Sequence, residues 1–330
     1  MNTHEFNVSV IDPVSPAIER ARVMLFKPFD MRKWFVIGFC AWLAFLGSGG
    51  GGGGGGFNFP NWQSRGDGPD QAINHVKDYI SYNLGWIIPV AVFVVLLLIV
   101  LGIVFVWLSS RGRFMFLHCV AENKAEVKVP WTKFKQHGNS LFLFRIVLGL
   151  IALAVMVMPV VFAIFAAIAL ARTKARAGLV LVFVGVFFVV LVISICFALV
   201  HKFTTDFVVP IMFLRSTSCR AAWREFLALL STNKGRFILY ILFQILIAMA
   251  IGVIGASVAC LFACLLLCFT CGIAGCLMIL PPLSIGYGYI ITVLLLPLSV
   301  FKRAYSLHYI RQFGPEFDVF SPETEMALPG

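Results

Sequence analysis

Residues able to do chemistry are scarce in this chain. Cys260, Cys264, Cys268 and Cys271 are spaced by four, four and three, which on a helix sets four sulfurs along one face. Four thiolates can hold a soft metal ion. Yet no histidine or carboxylate accompanies them, and buried thiols in apolar surroundings stay neutral and inert. Small residues also let membrane helices pack closely, so packing is the stronger reading and metal the weaker. Cys271 and Cys276 leave a disulfide open if they face an oxidising side. Gly49 to Gly56 form an unbroken glycine run. It lacks the spacing and the Lys-Ser/Thr ending of a phosphate loop, and reads as a flexible linker. No Ser-His-Asp set, no HExxH and no carboxylate pair in a predicted cleft stands out. These patterns predict no catalytic residue and no cofactor.

A second set of candidates carries charge. Asp206 follows His201-Lys202, and an ion pair with a nearby cation is expected there. Thr204-Thr205-Asp206 could cap the next segment, and Pro210 suggests a bend. Arg303, His308 and Arg311 lie near the end of the chain. His118 and His308 read as structural rather than as ligands. Gln244 is the one long polar side chain inside a predicted span, and Arg145 is close enough to a span end to snorkel. Intramembrane charges usually mark transport pathways. Their near absence argues against a proton- or sodium-coupled pump.

The elements that must position these residues follow from composition. Of 330 residues, 60% are hydrophobic and 12% charged. Soluble domains run at roughly 45–50% apolar and about 25% charged, so neither a soluble enzyme nor a disordered chain fits. The expected fold class is an all-α polytopic membrane protein with about six transmembrane helices. A spanning helix needs about 20 apolar residues, and six stretches qualify: about 31–48 (the weakest), 84–110, 141–171, 178–200, 237–269 and 283–301. The helix of the last should continue to about Phe313, with kinks at Pro159 and Pro297. The first 30 residues hold four acids and three bases before any apolar core, unlike a signal peptide.

Lys and Arg concentrate on the cytoplasmic side of short loops. With the N-terminus inside, 21 of the 26 Lys and Arg fall inside and five outside. The dissenting piece is the cluster Arg172-Thr-Lys-Ala-Arg176. The net charge of +11 thus reads as an orientation signal and a possible contact with anionic lipid, not as a nucleic-acid footprint.

Internal similarity suggests three parallel units. Trp131-Thr-Lys-Phe134 is echoed by Trp223-Arg-Glu-Phe226, and Arg113-Phe-Met-Phe-Leu-His118 by Arg303-Ala-Tyr-Ser-Leu-His308, with Leu25-Phe-Lys-Pro-Phe29 as a third copy of the first. Each unit would be an interfacial amphipathic helix followed by a hairpin of two spans. The units cover about 15–120, 121–215 and 216–318 of a single transmembrane domain, 1–330. A Gly-rich extracytoplasmic loop spans 48–70, and a disordered tail 319–330. Aromatic rings beside cations suit the membrane interface, which nominates Trp131, Lys133, Lys135, Arg220, Trp223 and Arg224 as lipid-interface residues.

Three segments also carry a resemblance: Thr205-Asp-Phe-Val-Val-Pro-Ile-Met212, Ala222-Trp-Arg-Glu-Phe226, and Arg303 through Phe317. They resemble uncharacterised bacterial integral membrane proteins, which are similar in turn to the membrane domain of some glycerophosphoryl diester phosphodiesterases. The resemblance implies a multi-pass inner-membrane protein with both termini cytoplasmic, and supplies no catalytic residues. The expected function is non-enzymatic: binding or organising membrane lipids, anionic ones in particular, or partner proteins. A transporter or channel for an apolar or lipid-like substrate is the alternative.

Overall fold

The computed structural model describes residues 8–46, 69–173, 176–269 and 281–320. All regular structure among the described residues is helical. Helix α1 (Val14–Phe26) leads into α2 (Met31–Phe45) and the long α3 (Pro69–Glu122). The short α4 (Lys128–Lys133) precedes α5 (Lys135–Thr173) and α6 (Arg176–Phe203). A π-turn over Thr204–Val208 carries α6 into α7 (Val209–Arg215). Helices α8 (Cys219–Thr232) and α9 (Lys234–Phe269) follow, then α10 (Pro281–Leu294) and α11 (Leu296–Arg311).

Among the described residues, four stretches are long and apolar enough to cross a membrane: Ile88–Glu122, Lys135–Ala169, Val180–Arg215 and Lys234–Leu261. In hydrocarbon the backbone must pair with itself, and long apolar helices achieve this. Gly288–Leu294 and Leu296–Arg311 make a fifth candidate, bent by 67°. The sequence places a kink at Pro297, and this break falls beside it. Pro159 behaves differently, because α5 runs on through it. Helix α2 has 15 residues, about 22 Å at 1.5 Å per residue, against a hydrocarbon core of about 30 Å.

Helix α2 lies antiparallel to the last part of α3. Lys33 Nζ donates to Asn123 Oδ1 (2.9 Å), and Ser109 Oγ donates to the Ala44 carbonyl (2.8 Å). The backbones touch at Gly112, where a Cβ would fall 2.6 Å from Ala44 N and Leu43 C. Helix α10 packs on α2, where Trp34 Nε1 donates to the Val293 carbonyl (3.0 Å). Pro297, four residues later, has no N–H to offer that carbonyl.

The core sits at one end of the molecule. Residues 109–121 of α3 are all buried, whereas 88–104 of the same helix are exposed wherever described. Phe207 is the centre of this packed end. Its ring is 5.3 Å from Phe226, 5.2 Å from Phe237 and 4.9 Å from Tyr240. A second group stacks Phe134 between Phe114 (5.9 Å) and Phe213 (4.9 Å). Such ring pairs add about 0.5–1.5 kcal/mol beyond area burial.

Both described termini are tied into this end. Ser9 N donates to Gln312 Oε1 (2.7 Å), and Tyr305 OH donates to the Val10 carbonyl (2.8 Å). Phe320 stacks on His308 at 4.4 Å. The packed chain therefore extends through Phe320, two residues into the segment expected to be a disordered tail. Residues 321–330 and most of the Gly-rich 48–70 segment lie outside the described residues.

Candidate functional site

The packed end buries charge as well as rings, and Pro210 organises it. In an α-helix its ring would meet the carbonyl of Asp206, and it has no N–H. The chain widens into the π-turn instead, and Val209 N–H donates to the Thr204 carbonyl five residues back. In that register the next carbonyl, that of Thr205, would wait for the N–H of residue 210, which proline lacks. Arg303 Nη1 from α11 donates to it at 2.6 Å. Arg113 Nη1 from α3 donates to the Thr205 hydroxyl, also at 2.6 Å, and its Nη2 lies 3.0 Å from His201 Nε2. The two arginines that head the matched segments therefore meet on one residue.

Asp206 is buried beside this point. Its Oδ2 lies 2.6 Å from Lys202 Nζ and accepts from Tyr240 OH at 2.9 Å. Lys202 Nζ also donates to Gln244 Oε1 at 3.0 Å. The expected ion pair of Asp206 is present, but the expected cap is not. Thr204 and Thr205 donate back to the carbonyls of Val200 (2.6 Å) and His201 (3.0 Å), because the helix continues where a cap needs it to begin. Likewise Pro210 widens the helix, and Val180–Arg215 stays one span.

The electrostatics of the cluster are lopsided. Lys302 lies within electrostatic reach of Lys202 and Asp206, and Arg145 and Arg303 within reach of Arg113. Four cations, Arg113, Lys202, Lys302 and Arg303, thus lie in the field of the Asp206 carboxylate, with Arg145 beside Arg113. Arg145 turns to the neighbouring helix, donating to Ser110 Oγ (3.1 Å) and the Val106 carbonyl (3.4 Å); this replaces the snorkelling expected of it. Arg303 Nη2 and Gln244 Nε2 are buried with no hydrogen-bond partner among the described residues. Buried charge is costly unless paired, so the cluster suits an anion.

The sequence reading missed two members. Tyr240 and Lys302 were not among its candidates, whereas Thr205 and Lys202 were named beside Asp206, Lys202 standing at the i,i+4 spacing of a helical ion pair. It also missed Arg20. That side chain, 1% exposed, donates to the carbonyls of Val120 (2.8 Å) and Ala121 (2.7 Å). These are end carbonyls of α3, which no intrahelical donor reaches. The available signal was its place in the stripe Ala17, Arg20, Ala21, Met24, an apolar helical face with one cation.

The remaining candidates disperse. His308 stacks on Phe320, and Arg311 Nε pairs with Asp318 at 3.0 Å. Trp131 meets Trp107 edge-on at 5.9 Å, and the Arg111 guanidinium lies over both rings, at 4.8 and 4.4 Å. Lys133 and Lys135 are exposed. Helix α8 buries Cys219, Ala222 and Phe226 and leaves Arg220 and Arg224 exposed. Trp223 packs between Phe144 (5.9 Å) and Phe226 (5.6 Å), with its indole N–H unpartnered among the described residues. Burial of Cys219 pushes its thiol up to about 12. Cys260 and Cys264 are exposed on α9; the side chain of Cys268, and Cys271 and Cys276 altogether, lie outside the described residues. Among the described residues no three His, Cys, Asp or Glu side chains gather in a metal-binding group.

Fold and site together define an all-helical protein whose long apolar helices fit a membrane and whose polar groups converge at one end. The chain belongs to the DUF7544 family, a family of unknown function whose model matches residues 8–320. No curated protein and no solved structure matches it. Nothing in these matches links it to glycerophosphoryl diester phosphodiesterases, so that part of the resemblance has no support.

Proposed function

We propose that this is a non-enzymatic protein of the bacterial inner membrane that binds and organises anionic lipid along its basic, cytoplasmic face. In this reading six spans form three hairpins with both termini inside. The order of elements supports it, since a short helix (α1, α4) precedes the pairs α2–α3 and α5–α6, and α8 precedes the long α9 and the bent pair α10–α11. The meeting of Arg113 and Arg303 on Thr205 supports the matching of units.

The observation that carries the proposal is the setting of α8. Phe226 and Ala222 fix one face against the packed end, and Arg220 and Arg224 stand exposed one turn apart. Exposed cations beside an anchored tryptophan suit a headgroup layer. The test is lipid selectivity of the full chain in bilayers, read by spin-labelled phosphatidylglycerol against phosphatidylcholine. Wild type should prefer the anionic lipid. Replacing Arg220 and Arg224 by Gln should weaken that preference by up to roughly 1 kcal/mol per residue. Equal association of both lipids with wild type would refute the reading.

A further inference from the structure

A cavity of about 340 Å³ opens between α2, α9, α10 and α11, within the range of about 300–1,000 Å³ typical of ligand sites. Ala248, Ile251, Gly252 and Gly255 line it from α9, and Leu295, Leu298 and Ser299 from α10–α11. The break at Leu295 lies in its wall, and the small residues of α9 keep it open. Lys302 is the one charged residue among the groups that line it.

Both walls lead to the same place. On α9, Gln244, Ala248, Ile251 and Gly255 follow one another at helical spacing on one face, so the groove runs toward the buried Gln244, whose Nε2 has no partner among the described residues. On α11, Ser299 and Lys302 do the same. Gln244 is bonded to Lys202, and Lys302 stands in the field of Lys202 and Asp206. The groove is thus apolar along its length and cationic at its inner end, where Lys302 joins Lys202, Arg303 and Arg113 around one carboxylate. That polarity matches an amphiphile with an anionic head and a hydrocarbon tail.

We propose that this groove is a binding site for one anionic phospholipid of the surrounding bilayer, with an acyl chain between α9 and α11 and the phosphate at Lys302 and Gln244. The proposal rests on the membrane reading above but not on the exposed face of α8.

The test is native mass spectrometry of the purified full chain, titrated with phosphatidylglycerol or with phosphatidylcholine of the same chains. Wild type should retain one phosphatidylglycerol at least tenfold more tightly than phosphatidylcholine. Lys302→Gln should remove most of that preference. Ala256→Trp, at an exposed groove position away from the packed end, should weaken both lipids alike by at least fivefold. The pair Arg220→Gln and Arg224→Gln should leave the tightly bound lipid in place. Retention unchanged in both Lys302→Gln and Ala256→Trp would overturn the proposal. So would its loss in the α8 variant alone, which would place the bound lipid on the α8 face. A dimer that Ala256→Trp dissociates, with no effect on bound lipid, would overturn it in favour of a second copy of the chain in the groove.

Discussion

Helix α3 holds two environments in one element. Its residues 109–121 are all buried and include Ser109, Ser110, Arg111, Arg113 and His118. Its residues 88–104 are purely apolar and exposed. The usual rule of apolar inside and polar outside is inverted along a single helix. Where lipid is the solvent, an apolar side chain needs no protein partner, and helix association draws on packing and hydrogen bonds instead. Polar groups need partners, so they gather where helices converge. Protein–protein packing is accordingly concentrated at one end, and the long helices extend from it.

If that contrast is right, substitutions at the two ends should differ sharply. Asp206→Ala should have the largest effect. It leaves Lys202, Lys302 and Arg303 facing one another without their carboxylate, and breaking a buried pair costs about 3–5 kcal/mol. Thermal unfolding in detergent, followed by near-UV circular dichroism, should show the loss. Phe162→Ala on α5, at a position 64% exposed, should change stability by less than about 0.5 kcal/mol, because detergent or lipid fills the space. Equal losses from the two variants would break the comparison.

A finer test uses two glycines of α3. A methyl group at Gly112 would meet the α2 backbone at 2.6 Å, whereas at Gly102 nothing lies within 4 Å. Gly112→Ala should therefore cost about 1–3 kcal/mol by overpacking. Gly102→Ala should be neutral or stabilise by up to about 1 kcal/mol through helix propensity. The same unfolding measurement separates them, and a cost at residue 102 would show that the outer half packs against protein.

How much of this the sequence discloses depends on the distance over which each feature is decided. Spans are written locally, since a run of about 20 apolar residues suffices, and four of the expected six emerge as single long helices. The break beside Pro297 is local too. The pair Lys202–Asp206 lies within one turn and was expected in outline. What Pro210 does was misjudged, because a proline can be accommodated by bending or by widening. Which occurs depends on whether a donor such as Arg303, 98 residues from Thr205, takes the freed carbonyl. Arg20 and Tyr240 escaped for the same reason: their partners, Val120 and Asp206, are 100 and 34 residues away. The interface residues were chosen by type, and the structure divides them into anchored rings and exposed cations.

The smallest effect concerns pH. The apolar stretch of α3 over 88–104 has no side chain to titrate, whereas the packed end holds titratable groups, Cys219 among them. Cys219 is 1% exposed at the start of α8, and burial raises its thiol from the ordinary 9.0 to about 12. The neutral thiol is thus favoured in the folded state, and the unfolded chain loses this proton first. Stability from this group is complete below about pH 9, falls as pH rises past the unfolded value, and goes on falling to about 12. One pH unit above the unfolded value costs about 1.4 kcal/mol. Cys219→Ala removes the group, and any fixed packing loss shifts its curve without changing the slope. Between pH 8 and 10, wild type should therefore lose about 1 kcal/mol more than Cys219→Ala. Parallel curves would mean that the thiol reaches water, and that α8 is less firmly seated on the packed end than Phe226 and Ala222 imply.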